Sequence, residues 1–206
     1  MLYKMKGGSL SSQDLKWFLK ASYNRSHSDY KDFRVDKQLT GQRVQVYHNP
    51  QTKQTVVVHR GTKGFHDAVT DLRYTFGDKS SKRFQHSTSI QRQAEQKYGA
   101  KNVTAVGHSL GSVLGETVGN KSKEILTLNK PVCLADLHSC IPSHQTDIRA
   151  SRDPVSLLRP FQRGQKAVTI PSLSLDPFKE HSTNTLDRTA TLFGSGITDG
   201  RCLYCV

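Results

Sequence analysis

The apolar run Val103-Thr104-Ala105-Val106 closes on Gly107-His108-Ser109-Leu110-Gly111, and this junction constrains the fold more than any other stretch of the chain. A β-branched run ending in G-x-S-x-G has the form of a nucleophile elbow: a buried strand, a sharp turn, then a helix. Such a turn holds its serine in strained backbone geometry, so the residues two before and two after it must lack bulk. Gly107 and Gly111 occupy those positions. The bend pushes the Ser109 hydroxyl out of the sheet and sets the next backbone N–H beside it as an oxyanion donor. Ser112-Val113-Leu114-Gly115-Glu116-Thr117-Val118 follows as a buried helix. The plainer alternative is a Gly/Ser turn between two core elements.

The remaining pattern alternates strands with helices. Ser11-Ser12-Gln13-Asp14 has the form of a helix start, and Leu15, Phe18 and Leu19 then share one helical face. Arg43–Tyr47 alternates like a half-buried strand, Asn49-Pro50-Gln51-Thr52 is a turn, and Thr55–His59 reads as a more deeply buried strand. Ser89–Tyr98 favours helix. Glu124–Leu128, Asp147–Ala150 and Lys166–Ile170 read as further strands. The section from Asp71 to Thr88 is polar and irregular, which predicts a surface loop or lid base. The alternation implies an α/β fold with a sheet that is parallel in its centre.

With 206 residues the chain suits one domain with its own core, and a hydrophobic content of 34% predicts a thin core and long loops. Residues 1–9 read as a flexible N-terminal segment and 10–206 as a single domain. The formal charge is +13, spread from Lys4 to Arg201 without a single block. Such a surface suits anionic partners such as phospholipid headgroups, or serves solubility. A basic groove interleaved with aromatics is not evident, which argues against nucleic acid. No stretch approaches the roughly 20 apolar residues of a membrane span. The start Met1–Gly8 has no apolar signal core. Cys133, Cys140, Cys202 and Cys205 read as free thiols of a reducing compartment; Cys202-x-x-Cys205 has no second pair to complete a metal site. No metal and no organic cofactor is expected.

A serine hydroxyl near neutral pH needs a base to take its proton, and the base needs an orienting acid. Downstream of Ser109 the acids include Asp136, Asp147, Asp153, Asp176 and Asp187, and the histidines are His138, His144 and His181. Asp153 stands just past an expected strand, with Pro154 making the turn that an acid loop needs. His181 follows Asp176-Pro177-Phe178-Lys179-Glu180 and precedes a Ser/Thr-rich stretch able to open a helix. The plainer readings are a turn-forming Asp before Pro and a surface histidine at a helix end. Upstream, Val56-Val57-Val58-His59-Arg60-Gly61-Thr62 is a strand–loop junction that can bring a second oxyanion donor close.

Together these pieces resemble the class 3, fungal-type lipase family of the α/β-hydrolases. The match runs through Val57-Val58-His59-Arg60-Gly61-Thr62, Val69-Thr70-Asp71-Leu72 and Gly107-His108-Ser109-Leu110-Gly111. It continues in Arg152-Asp153-Pro154-Val155 and Asp176–Ser182, so it spans roughly Val44 to Leu186. The resemblance implies an α/β-hydrolase fold and ester hydrolysis by Ser109, Asp153 and His181. It implies oxyanion donors at the N–H of Leu110 and the N–H and hydroxyl of Thr62. Ser112 stands where the family usually has another glycine. Asp153 lies 44 positions after Ser109 and His181 another 28 beyond, both short for the family, which implies a trimmed lid. The substrate expected is a lipid or small ester, with an anionic membrane surface as partner.

Two rivals remain within reach of the sequence. One is a cutinase-like esterase, thioesterase or acyltransferase using the same three residues. The other is a catalytically dead, basic hydrolase-fold module that binds membrane or nucleic acid. Separately, Met5-Lys6-Gly7-Gly8-Ser9 is similar to the M-x-G-G-x sites cut by adenovirus-type maturation proteases, which would imply a virion-associated lipase trimmed before Ser9. The plainer reading is a flexible Gly-Gly linker. Localisation stays open between cytoplasm and virion.

Overall fold

Strand β4 (Val103–His108) is buried at every position and lies near the middle of a sheet that has seven strands among the described residues. The computed structural model describes residues 10–62, 81–132, 141–156 and 166–189. Residues 1–9, the Val69–Leu72 match, His138 and all four cysteines fall outside them. The strands are β1 (Arg34–Val35), β2 (Val44–His48), β3 (Thr55–His59), β4, β5 (Glu124–Leu128), β6 (Gln145–Ala150) and β7 (Lys166–Ile170), and they lie side by side in chain order. β1, β2 and β3 pair antiparallel, joined by the Asn49 turn between β2 and β3. From β3 to β7 every pairing is parallel. Parallel neighbours require crossovers, and among the described residues helices supply those from β3 to β4 and from β4 to β5.

Helix α1 (Ser12–Asn24) starts as its sequence predicts. The Ser11 hydroxyl accepts from Asp14 N–H at 3.1 Å, and the Asp14 carboxylate accepts from Ser11 N–H at 3.1 Å. Its Leu15, Phe18 and Leu19 are fully buried. They join Val56 and Val58 of β3, Val106, Leu126, Ile148 and Ile170 in one cluster. Val57 of β3 points the other way, to a second cluster with Val44, Val46, Val103 and Ala94. The period of two along each strand thus feeds both faces of the sheet. Helices α2 (Lys82–Tyr98) and α3 (Leu110–Val118) follow β3 and β4. A short α4 (Pro177–Glu180) and a 3₁₀ turn (Thr183–Arg188) follow β7, and Leu186 of that turn packs into the α1 cluster. The architecture is the expected α/β-hydrolase type, a mostly parallel sheet flanked by helices.

Two local expectations change. Lys82–Thr88 is the first part of α2 rather than irregular loop. The buried face of that helix carries Ser87 and Gln91 beside Phe84 and Ala94, so its apolar period is masked. β2 is buried along almost its whole length rather than half-buried. Gln45 can face inward because its amide donates to Ser26 O at 3.0 Å and its carbonyl accepts from the Tyr47 hydroxyl at 2.9 Å. Among the described residues no helix is long and apolar enough to cross a membrane.

Candidate active site

The carboxyl ends of the parallel strands converge on one edge of the sheet, where open α/β sheets hold their ligands. Thr62 follows β3, Ser109 follows β4, Asn129 follows β5, Asp153 follows β6, and His181 follows β7 through α4. His144 precedes β6 and so lies at the opposite edge.

Ser109 has φ 56° and ψ −131°, a left-handed conformation for a residue with a β-carbon. Such strain costs on the order of 1–3 kcal/mol and must be held by its surroundings. A β-carbon on Gly107 would lie 2.2 Å from the carbonyl oxygen of Gly111, and one on Gly111 would lie 2.0 Å from that of His59. Both glycines are therefore required by close backbone packing. The Ser109 N–H donates to Leu128 O at 3.0 Å, tying the bend to the end of β5. Ser112, the departure from the family pattern, donates its hydroxyl to the same carbonyl at 3.2 Å. Ser109 Oγ is buried and makes no hydrogen bond to any of the described residues. Leu110 opens α3, and the first N–H groups of a helix have no partner within it.

Asp153 is fully buried, and His181 is nearly so. His181 Nδ1–H donates to Asp153 Oδ1 at 2.7 Å, so Nε2 carries the lone pair. Asp153 Oδ2 accepts from the Ser156 N–H at 2.9 Å and from the Ser156 hydroxyl. The other acids are engaged elsewhere. Asp147 is buried at the sheet with Thr127 and Gln145, Asp176 caps α4, and Asp187 pairs with Lys16 on the surface. Asp136 falls outside the described residues.

Several residues that the sequence did not single out hold these groups. His108 Nε2–H donates to the backbone carbonyl of His181 at 2.7 Å. Its Nδ1 must then accept from the Tyr23 hydroxyl, at 2.7 Å. The His108 and His181 rings lie 4.9 Å apart. Burial, together with the neighbouring His181, pushes His108 down to about 3, so it stays neutral. Asn129, at φ 49°, donates its amide to Glu180 O at 3.0 Å and accepts from Ala150 N–H at 2.9 Å, linking the β6 end to α4. Arg83 donates to Arg60 O at 2.6 Å and to the Thr62 hydroxyl at 3.3 Å, clamping the turn after β3. Gly61 lets that turn approach closely: a β-carbon there would lie 2.5 Å from His108 O. His108, as part of G-H-S-L-G, and Gly61, in the turn after β3, carried a sequence signal; Tyr23, Arg83 and Asn129 carried none. Among the described residues no group of His, Cys, Asp and Glu could hold a metal ion.

No protein-family profile matches the chain, and no curated protein sequence does. Solved structures do. Rhizomucor miehei lipase, in its propeptide complex, shares 14% identity, covers 83% of this chain and 75% of its own, and superposes with a TM-score of 0.53. A fungal lipase–inhibitor complex matches at 17% identity over 72% and 71% of the two chains, with a TM-score of 0.45. Lip2 lipase from Yarrowia lipolytica matches at 17% identity over 68% of each, with a TM-score of 0.43. At such identity the likeness to the first speaks for the backbone arrangement: this chain has the α/β-hydrolase fold of the fungal-type lipases.

Proposed function

We propose that the chain is a serine carboxylic ester hydrolase, a lipase or phospholipase that cleaves acyl esters of lipids through an acyl-enzyme. The observation that carries this reading is the 2.7 Å bond between Asp153 and His181, made at the sheet edge where Ser109 stands in its strained bend. Ser109 Oγ attacks the ester carbonyl and gives its proton to His181 Nε2. Asp153 holds the imidazole in the right tautomer and stabilises the imidazolium. His108, being neutral, adds no second positive charge beside it. The oxyanion lies against the N–H of Leu110 and the N–H and hydroxyl of Thr62, each donor contributing roughly 3 kcal/mol. Collapse breaks the ester C–O bond, and His181 returns its proton to the leaving alcohol. Water, deprotonated by His181, then releases the acid. The short spacing from Ser109 to His181 supports a trimmed lid and phospholipid or small-ester substrates.

A fluorophosphonate probe should label the wild-type protein at Ser109 and leave Ser109→Ala unlabelled. Ser109→Ala, Asp153→Asn and His181→Ala should each cost several orders of magnitude on a panel of p-nitrophenyl esters, phospholipid vesicles and acyl-thioesters, while remaining folded. Absence of labelling in folded wild-type protein would leave the non-catalytic binding module standing instead. Selective turnover of thioesters would favour the thioesterase.

A further inference from the structure

The connection between β7 and α4 reverses the usual placement of polar and apolar side chains. In Ser172-Leu173-Ser174-Leu175-Asp176 the two serines and the aspartate are half-buried, while Leu173 is 80% and Leu175 85% exposed. Phe178, on α4, is 59% exposed. These are the exposed large apolar side chains among the described residues. The backbone is pinned in this arrangement. Ser172 N–H donates to Ser151 Oγ at 3.0 Å, and Ser172 Oγ accepts from Arg152 N–H at 2.8 Å. Ser174 N–H donates to Glu180 at 2.9 Å, and Asp176 N–H donates to Ser174 Oγ at 3.0 Å. Arg188 donates to Pro171 O at 3.1 Å. Turning the leucines inward would break these bonds. Two leucines held in water by a hydrogen-bonded frame mark a surface built to meet an apolar phase.

Three features choose the partner. The segment lies at the carboxyl edge of the sheet and runs directly into His181, so whatever it touches faces the site. Lys179 and Arg152, both exposed, flank the leucines, and the chain as a whole carries +13. Apolar side chains rimmed by cations fit an anionic lipid surface, where the apolar groups enter the acyl boundary and the cations meet headgroups. We propose that Leu173, Leu175 and Phe178 form a finger that inserts into anionic lipid membranes and presents the Ser109 edge to them. As a route for substrate, this rests on the hydrolase reading; as a binding surface, it does not.

Flotation of Ser109→Ala with vesicles of equimolar phosphatidylcholine and phosphatidylserine tests the surface without chemistry. The parent should float with these vesicles. Leu173→Ser/Leu175→Ser in the same background should weaken partitioning by roughly tenfold per leucine, with the unfolding midpoint unchanged. Lys179→Gln should weaken binding to these vesicles and leave binding to pure phosphatidylcholine unaltered. In the active background, the leucine pair should hydrolyse soluble p-nitrophenyl butyrate at the wild-type rate and lose activity on vesicles. The proposal is overturned if the parent fails to float, or if the double variant floats as well as the parent. It is equally overturned if sedimentation shows a dimer that the double variant dissolves, because a second copy would then cover the patch. Failure here leaves Ser109 labelling intact, whereas normal flotation without labelling would sink only the hydrolase reading.

Discussion

Ser109 keeps its left-handed backbone because neighbours on β4, β5 and α3 over-determine it. Gly107 and Gly111 allow the close approach, and Leu128 O binds its N–H. Asn129, the next residue after Leu128, does comparable work for the other two groups. Its side chain satisfies a buried N–H at Ala150, three residues before Asp153, and a carbonyl at Glu180, one residue before His181. Asn129→Ala leaves both unpaired and should cost at least about 2 kcal/mol in urea denaturation. Asn129→Gly accepts φ 49° without strain yet loses the same bonds, so it should show most of that loss. Both variants should slow fluorophosphonate labelling of Ser109. Unchanged labelling in Asn129→Gly would mean that Asp153 and His181 do not depend on this link.

At the scale of elements, the segment after β7 turns its large apolar side chains outward and is held to the body by polar anchors. Glu180 is fully buried and takes two bonds from Arg188, at 2.7 and 3.0 Å, and one from Ser174 N–H. Burial pushes its carboxyl up, but the bonds from Arg188, Ser172 and Ser174 outweigh this and hold it below the usual range. Glu180→Gln removes the charge and leaves the largely buried Arg188 without its anionic partner. A loss of roughly 3 kcal/mol in the free energy of unfolding is expected from urea denaturation, with slower Ser109 labelling because α4 runs into His181. The 3₁₀ turn beyond adds Leu186, which packs with α1, and Asp187, which pairs with Lys16. The first helix of the chain therefore buttresses the segment that carries the base, across more than 150 positions of sequence.

For the whole molecule, buried neutral histidines set the response to acid. Burial holds His59 down to about 4 and His108 down to about 3, against an ordinary value of 6.5. Between those values the unfolded chain binds more protons than the native one, so stability rises with pH there and falls as pH drops from 6.5 toward 3. Asp14, Asp36 and Glu180, all held below their ordinary values, add a loss of the same sign at lower pH. Denaturation midpoints should therefore decline steadily from pH 7 through 5.5 to 4.5, and His59→Gln should flatten the decline. A midpoint that rises on acidification would contradict the burial of both rings. Local sequence could determine the elements whose signals are local. The Ser11–Asp14 box, the continuous β-branched run within Thr55–His59 and the glycine spacing around Ser109 each act within a few residues, and each appears in the structure where its pattern places it. Position after an expected strand, together with the family resemblance, pointed to Asp153 and His181, which the tertiary structure brings to 2.7 Å. The sequence could not show the polar face of α2, the burial of Gln45, or the roles of Asn129, Tyr23 and Arg83. Those depend on which backbone groups from distant strands lack a partner, and a buried hydrogen bond has no period in the sequence from which to read it.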